Sequence, residues 1–267
     1  MYYKEILGGD ILKKAYLKNQ MSLRIMIVIF VIMISIIYTS IKTDSNIAEV
    51  FSYKKELPIY SVGTNEKKLA ISFDAAWGDE YTLQILDILD KYNVKSTFFL
   101  VGFWADKYPD HVKEIYKRGH DVGNHSTNHP YMTKLSNEEM AKELNVTNDK
   151  IKELIKEKPI LFRPPFGDYN DTVLNVCKDN GYYAIQWDVD SLDWKELGVQ
   201  PVVDRVTRNV TNGSIVLFHN NAKYIVEYLP IIIERLQSEG YEIVPISQLI
   251  YRDNYSMDST GRQIQNN

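Results

Sequence analysis

The sequence predicts an α/β fold, a distorted (β/α) barrel with its site at the carboxyl ends of the strands, preceded by one transmembrane helix. Three observations predict it. Short apolar, β-prone runs alternate with helix-length stretches from about residue 67 to residue 250, the pattern of a parallel sheet with helical crossovers. A polar or titratable residue stands where each of five strand runs ends: Asp74, His125, Arg163, Asp190 and His219. Residues 25–41 carry no charge between Arg24 and Lys42. Barrels and open doubly wound sheets both gather function at strand carboxyl ends. Five strands converging on one site suits a closed or nearly closed barrel better.

The apolar run comes first. A helix over 25–41 spans about 26 Å, slightly short of the roughly 30 Å hydrocarbon core. Leu23 and flanking aromatics make up the difference, so the anchor is set at 23–41. Lys4, Lys13, Lys14, Lys18 and Arg24 precede it, whereas Lys42 is soon followed by Asp44 and Glu49. That asymmetry puts residues 1–22 in the cytoplasm and everything after residue 42 outside. The expected localisation is therefore the cell membrane, single-pass, with an extracytoplasmic domain. No small-residue cleavage site follows the run, which favours a retained anchor over a removed signal peptide. A buried core helix is the competing reading, opposed by a surface of Ile, Val and Met without a polar stripe. Residues 42–66, with Pro58 and Gly63, read as a linker.

Within 67–252, strands are expected over 69–73, 96–101, 121–123, 160–162, 183–187, 214–218 and 241–244, with helices between. Tyr81, Ile85, Ile88 and Leu89 give the first helix its apolar stripe. A second runs over 105–118 and stops at Gly119. The longest, 136–157, opens with Ser136 and Glu139, a capping-box spacing. Residues 253–267 are polar and expected to form a flexible, frayed tail. The net charge of −4 argues against a nucleic-acid partner, which demands a basic face. A single cysteine, Cys177, excludes an intramolecular disulfide and a thiolate-rich zinc site. Nothing in the sequence sets an oligomeric state.

The strand-end residues suggest chemistry. His125 and His129, four residues apart, can close on one divalent ion such as zinc. Asp74 ends an apolar strand, where a carboxylate is costly unless partnered. Arg163 is the partner that keeps it ionised, and a purely structural ion pair is the alternative. His219 follows the apolar run 215–218, and Asp193 offers a carboxylate to orient it. Trp194 and Leu217 form an apolar patch sized for a small acyl methyl.

With these residues in place, the sequence resembles the polysaccharide deacetylases of the chitooligosaccharide-deacetylase homology group, carbohydrate esterase family 4. More narrowly it resembles their membrane-anchored, sporulation-associated branch. The resemblance covers roughly 67–250, with the motifs in order. It implies Asp74 as catalytic base, His125 and His129 as metal ligands, and Arg163 as the residue that holds the base. It further implies the Phe166 N–H as oxyanion donor, Asp193 as the charge-tuning carboxylate, Trp194 and Leu217 as pocket walls, and His219 as general acid. One departure stands out. The family's first motif reads Thr-Phe-Asp-Asp-Gly, its second aspartate being the third metal ligand; this chain reads Ser72-Phe73-Asp74-Ala75-Ala76. Ala75 coordinates nothing, and two histidines fall short of the three ligands usual in catalytic zinc sites. Asp74 or Asp79 is then needed to complete the set.

Three expectations follow. The first is metal-dependent hydrolysis of N-acetyl groups from an amino-sugar polysaccharide, peptidoglycan of the cell wall or spore cortex, with acetate released. The alternative is a non-catalytic glycan-binding or structural cell-envelope protein that has lost the metal site at Ala75. A third keeps the chemistry but moves it to another amide or ester.

Overall fold

The structure is a computed structural model that describes residue 14, residues 17–39 and residues 56–266. It divides into two units, Met1–Lys55 and Glu56–Asn267. In the first, helix α1 (Leu17–Thr39) has 23 residues and is long and apolar enough to cross a membrane. It starts before the expected boundary at residue 23 and takes Lys18 and Arg24 into its own length. The rest of the expected cytoplasmic segment, and the expected linker up to residue 55, lie outside the described residues.

The second unit opens with β1 (Ser61–Gly63), β2 (Lys68–Ala75), α2 (Thr82–Lys91), β3 (Thr97–Leu100), α3 (Gly102–Lys107) and α4 (Pro109–Lys117). Then come β4 (Asp121–Asn124), α5 (Asn137–Ile155), β5 (Leu161–Phe162), α6 (Asp171–Asp179), β6 (Tyr183–Ala184) and β7 (Val189–Asp190). It closes with α7 (Val199–Asn209), β8 (Ile215–His219), α8 (Ile225–Ser238), β9 (Glu242–Ile243), α9 (Ile246–Leu249), β10 (Tyr255–Met257) and β11 (Arg262–Gln265). The main sheet is parallel, in the order β6-β5-β4-β3-β2-β8-β7, with β9 beside the start of β2. It is curled and open, a half-barrel.

The strand expected over 183–187 stops at Ala184 as β6, and a separate strand, β7, follows at Val189–Asp190 on the opposite edge of the sheet. Only residues 185–188 join them, so the edges must curl towards each other. Residues read as linker fill the opening: Ile59 pairs with Ile185 and Ser61 with Ser214. Ile59 and Val62 are buried. The tail expected to fray is likewise ordered, since β10 and β11 form a second sheet with β1 in the order β1-β11-β10. Its polar composition hides what holds it: the buried Gln263 amide bonds both the N–H and the C=O of Tyr251, each at 2.9 Å.

Alternation along the strands sorts the core and aims the site. Leu69, Ile71 and Phe73 of β2 join Val216 and Phe218 of β8 in the helix-side core with Ile85 and Ile232. Ala70 and Ile215 join Phe99, Ile185 and Ile246 in the interior cluster. The same period directs Ser72, Asp74, Leu217 and His219 inward. Registry then sets Asp74 beside His219 across the β2–β8 pair.

Two helix details differ from or extend the expectation. The helix over 105–118 breaks into α3 and α4 because Pro109 starts a new helix and Tyr108 before it leaves helical geometry (φ −127°). The Ser136–Glu139 capping box at the start of α5 is formed in both directions.

Candidate functional site

Asp74 and Arg163 meet inside the half-barrel. Arg163 is fully buried, and its Nη1 donates to Asp74 Oδ1 at 2.7 Å. Its Nη2 donates to Ser72 Oγ at 2.9 Å and to the Gln186 carbonyl at 3.1 Å. The guanidinium lies 4.1 Å from the Phe99 ring centroid. Burial alone would raise the Asp74 pKa, but the charges of Arg163 and the nearby histidines hold it below its ordinary range.

His125 stands at the next corner. Its Nδ1 lies 2.6 Å from the Arg163 carbonyl, which only accepts, so Nδ1 carries the proton. Its Nε2 faces Asp74 Oδ2 at 3.5 Å. Burial keeps His125 below its usual range and takes His129 down to about 4.

The loop from 125 to 129 is held by a residue that sequence reasoning missed. Glu143 of α5 accepts from the backbone N–H groups of Thr127 and Asn128, both at 2.8 Å, and from the Asn128 amide at 2.7 Å. Its signal was a mid-helix carboxylate, which looks like any solvated charge. The loop turns His129 into a run of rings. The imidazole lies 4.9 Å from Trp77, 4.9 Å from His125 and 4.5 Å from Phe166, edge to face in each case. Phe166 stacks on Tyr131 at 4.3 Å, and Trp77 continues to Phe103 at 6.4 Å.

The third group lies across β8. Asp193 accepts from the His219 backbone N–H at 2.9 Å, bonds His219 Nδ1 at 2.7 Å and accepts from Tyr228 OH at 2.9 Å. Burial pulls the His219 pKa down, but the Asp193 hydrogen bond and charge more than reverse that and hold it above the ordinary range. Asp190, also at a strand end, serves the turn: its Oδ1 accepts from the Leu192 N–H at 2.8 Å. Leu217 is buried, whereas Trp194 and Phe166 are exposed.

The metal that the resemblance implies was tested against these donors. Ala75 is fully buried and its methyl packs into the helix-side core. Asp79 is engaged elsewhere, 3.4 Å from His111 Nδ1. Asp74 is held by Arg163. Among the described residues, no group of three or more His, Cys, Asp or Glu side chains is gathered to hold a metal ion. The donor set does not fit the group.

Comparison with known proteins gives the family. The polysaccharide deacetylase pattern matches residues 61–185. A peptidoglycan-N-acetylglucosamine deacetylase of Bacillus cereus is 37% identical over 196 residues, 72% of this chain and 92% of that protein. The peptidoglycan-N-acetylmuramic acid deacetylase PdaC of Bacillus subtilis is 37% identical over 75% of this chain, which spans only 42% of PdaC. Among solved structures, wild-type BA3943, a CE4 family pseudoenzyme from Bacillus anthracis, superposes with a TM-score of 0.71 and 34% identity, covering 78% of this chain and 70% of that one. A BA3943 mutant with restored enzymatic activity superposes equally well, at 35% identity over 78% of this chain and 73% of that one.

These findings overturn the expectation of an active metal-dependent N-deacetylase. The surviving base, arginine, histidines and tuning carboxylate were read as evidence for chemistry. Yet one similar structure, BA3943, is a pseudoenzyme, and among the described residues the three donors that chemistry needs do not come together. From its matched motifs, its fold and its identity to near-full-length relatives, the chain belongs to the polysaccharide deacetylase family.

Proposed function

We propose that this protein is a non-catalytic glycan-binding protein of the cell envelope, a polysaccharide deacetylase fold whose metal site is lost. The observation that carries the reading is Ala75, a buried methyl where the resemblance puts the third metal ligand. In this reading Asp74 and His219 form the polar floor that meets the sugar, and the buried Arg163 and Asp193 hold them from behind. Phe166 and Trp194, both exposed, supply apolar walls. The names of the Bacillus relatives support peptidoglycan strands as the glycan. The apolar α1 supports a single-pass anchor, with residues 1–22 in the cytoplasm and the folded unit outside. Placement on the sporulation-associated branch rests on the motif resemblance alone.

The test uses the full chain in detergent, purified without chelator. We expect it to bind N-acetylglucosamine oligomers or peptidoglycan, to release no acetate and to carry no stoichiometric zinc by elemental analysis. Ala75→Asp should acquire zinc, as a rise in melting temperature on adding the metal that the parent lacks. Acetate release by the parent chain, abolished by a chelator, would defeat the proposal.

A further inference from the structure

Trp77 is the largest side chain in the site's neighbourhood without an assigned role. It stands three residues after Asp74, in the loop between β2 and α2, and is 58% exposed. A contiguous exposed apolar patch rimmed by polar residues marks an interaction surface, and Trp77 belongs to such a run of rings. We infer that Trp77, together with Phe103, forms a sugar-stacking subsite that extends the glycan groove past the former metal position; the inference rests on the glycan-binding reading above.

Four observations point there. Trp77 is continuous with the site, packing on His129, which packs on Phe166, which stacks on Tyr131. Phe103, 37% exposed, prolongs the strip on the far side of Trp77. Such a strip suits a pyranose chain, whose faces are C–H-rich and whose rim is hydroxyl.

The display is also held in place. Gly78, next to Trp77, gives its carbonyl to Trp104 Nε1 at 2.7 Å and to the Asn220 amide at 3.0 Å. A fixed loop presents its ring without a further ordering cost on binding. Finally, His129 (φ 57°) and Phe166 (φ 60°) both sit in the left-handed region. That conformation is uncommon for non-glycine residues and persists where the surroundings impose it. In that conformation the His129 ring meets Trp77 on one contact and Phe166 on another, joining the two exposed rings.

The experiment uses the full chain in detergent, titrated with N-acetylglucosamine oligomers by calorimetry. Trp77→Ala should weaken binding by about tenfold or more, equivalent to roughly 1.4 kcal/mol, and Trp77→Phe should retain most of the affinity. Ile264→Ser, an exposed apolar change on β11, should leave it unaltered. In protein carrying 5-fluorotryptophan at its four tryptophans, the Trp77 ¹⁹F resonance should move on adding oligomer, a readout that holds even if Trp77→Ala melts early. Parent-like affinity in Trp77→Ala, or a Trp77 resonance that stays still while oligomer binds, overturns the subsite and leaves the glycan-binding reading standing. A parent chain that binds no oligomer overturns both.

Discussion

Arg163 keeps its charge with no exposure because its two terminal nitrogens meet a carboxylate, a hydroxyl and a carbonyl and its plane meets a ring face, although its Nε is buried without a partner. Removing one member of such a buried pair typically costs about 3–5 kcal/mol, since the other charge is left unpaired. That makes the Asp74–Arg163 pair structural as well as a feature of the site, and explains why it outlasts the metal set. His120 shows the opposite solution. It is 3% exposed, its Nδ1 accepts from the Ser96 N–H at 3.1 Å, and burial pushes its pKa down to about 4. The neutral ring is therefore the folded form. Its contribution is complete above the unfolded pKa near 6.5 and is lost as pH falls from there towards about 4, a loss of about 3 kcal/mol. Urea unfolding at steps from pH 7 to pH 4 should show the parent losing about that much more stability than His120→Asn. Parallel profiles would sink the assignment.

Elements here are limited by close backbone approaches as much as by helix or strand preference. Gly213 (φ 81°) lies against β1, and a Cβ there would stand 1.7 Å from the Val62 carbonyl oxygen. Gly198 also has a positive φ (94°) but nothing within 4 Å of a Cβ placed there. Gly213→Ala should therefore cost clearly more than Gly198→Ala, through clash added to strain, whereas Gly198→Ala pays only for its glycine-favoured φ/ψ, about 1–3 kcal/mol. Denaturant melts of the two variants separate the terms, and equal losses would remove the proposed contact. Gly213 was unremarkable in the sequence because its neighbour in space, Val62, is far away along the chain. By contrast the capping box of α5 was legible, because both partners fall within one turn.

At the scale of the molecule, the two ends of the folded unit close on each other: β11 runs parallel to β1 and antiparallel to β10. Deleting residues 254–267 should uncover Val62 and strand the Tyr251 peptide groups that Gln263 satisfies. We expect the melting temperature to fall by several degrees, at about 2–4 °C per kcal/mol for a domain of this size. An unchanged melt would show the hairpin to be dispensable.

Periodicity and residue chemistry are local properties, and what depends on them was determined by the sequence alone. These are the parallel α/β class, the apolar helix, the polar groups at successive strand ends and the alanine at position 75. The pairings of Asp74 with Arg163 and of Asp193 with His219 were within reach too, because a charge ending an apolar strand demands a partner and few were on offer. Contacts between distant residues belonged to the tertiary structure. It decided that the sheet stays open with β6 and β7 at opposite edges, that Ser61–Gly63 of the supposed linker and two segments of the tail are strands, and that Glu143 clamps the 125–129 loop. It also set Trp77 against His129 and left the metal donors one short. A metal site is a geometric convergence, and a list of surviving residues does not show whether three of them meet.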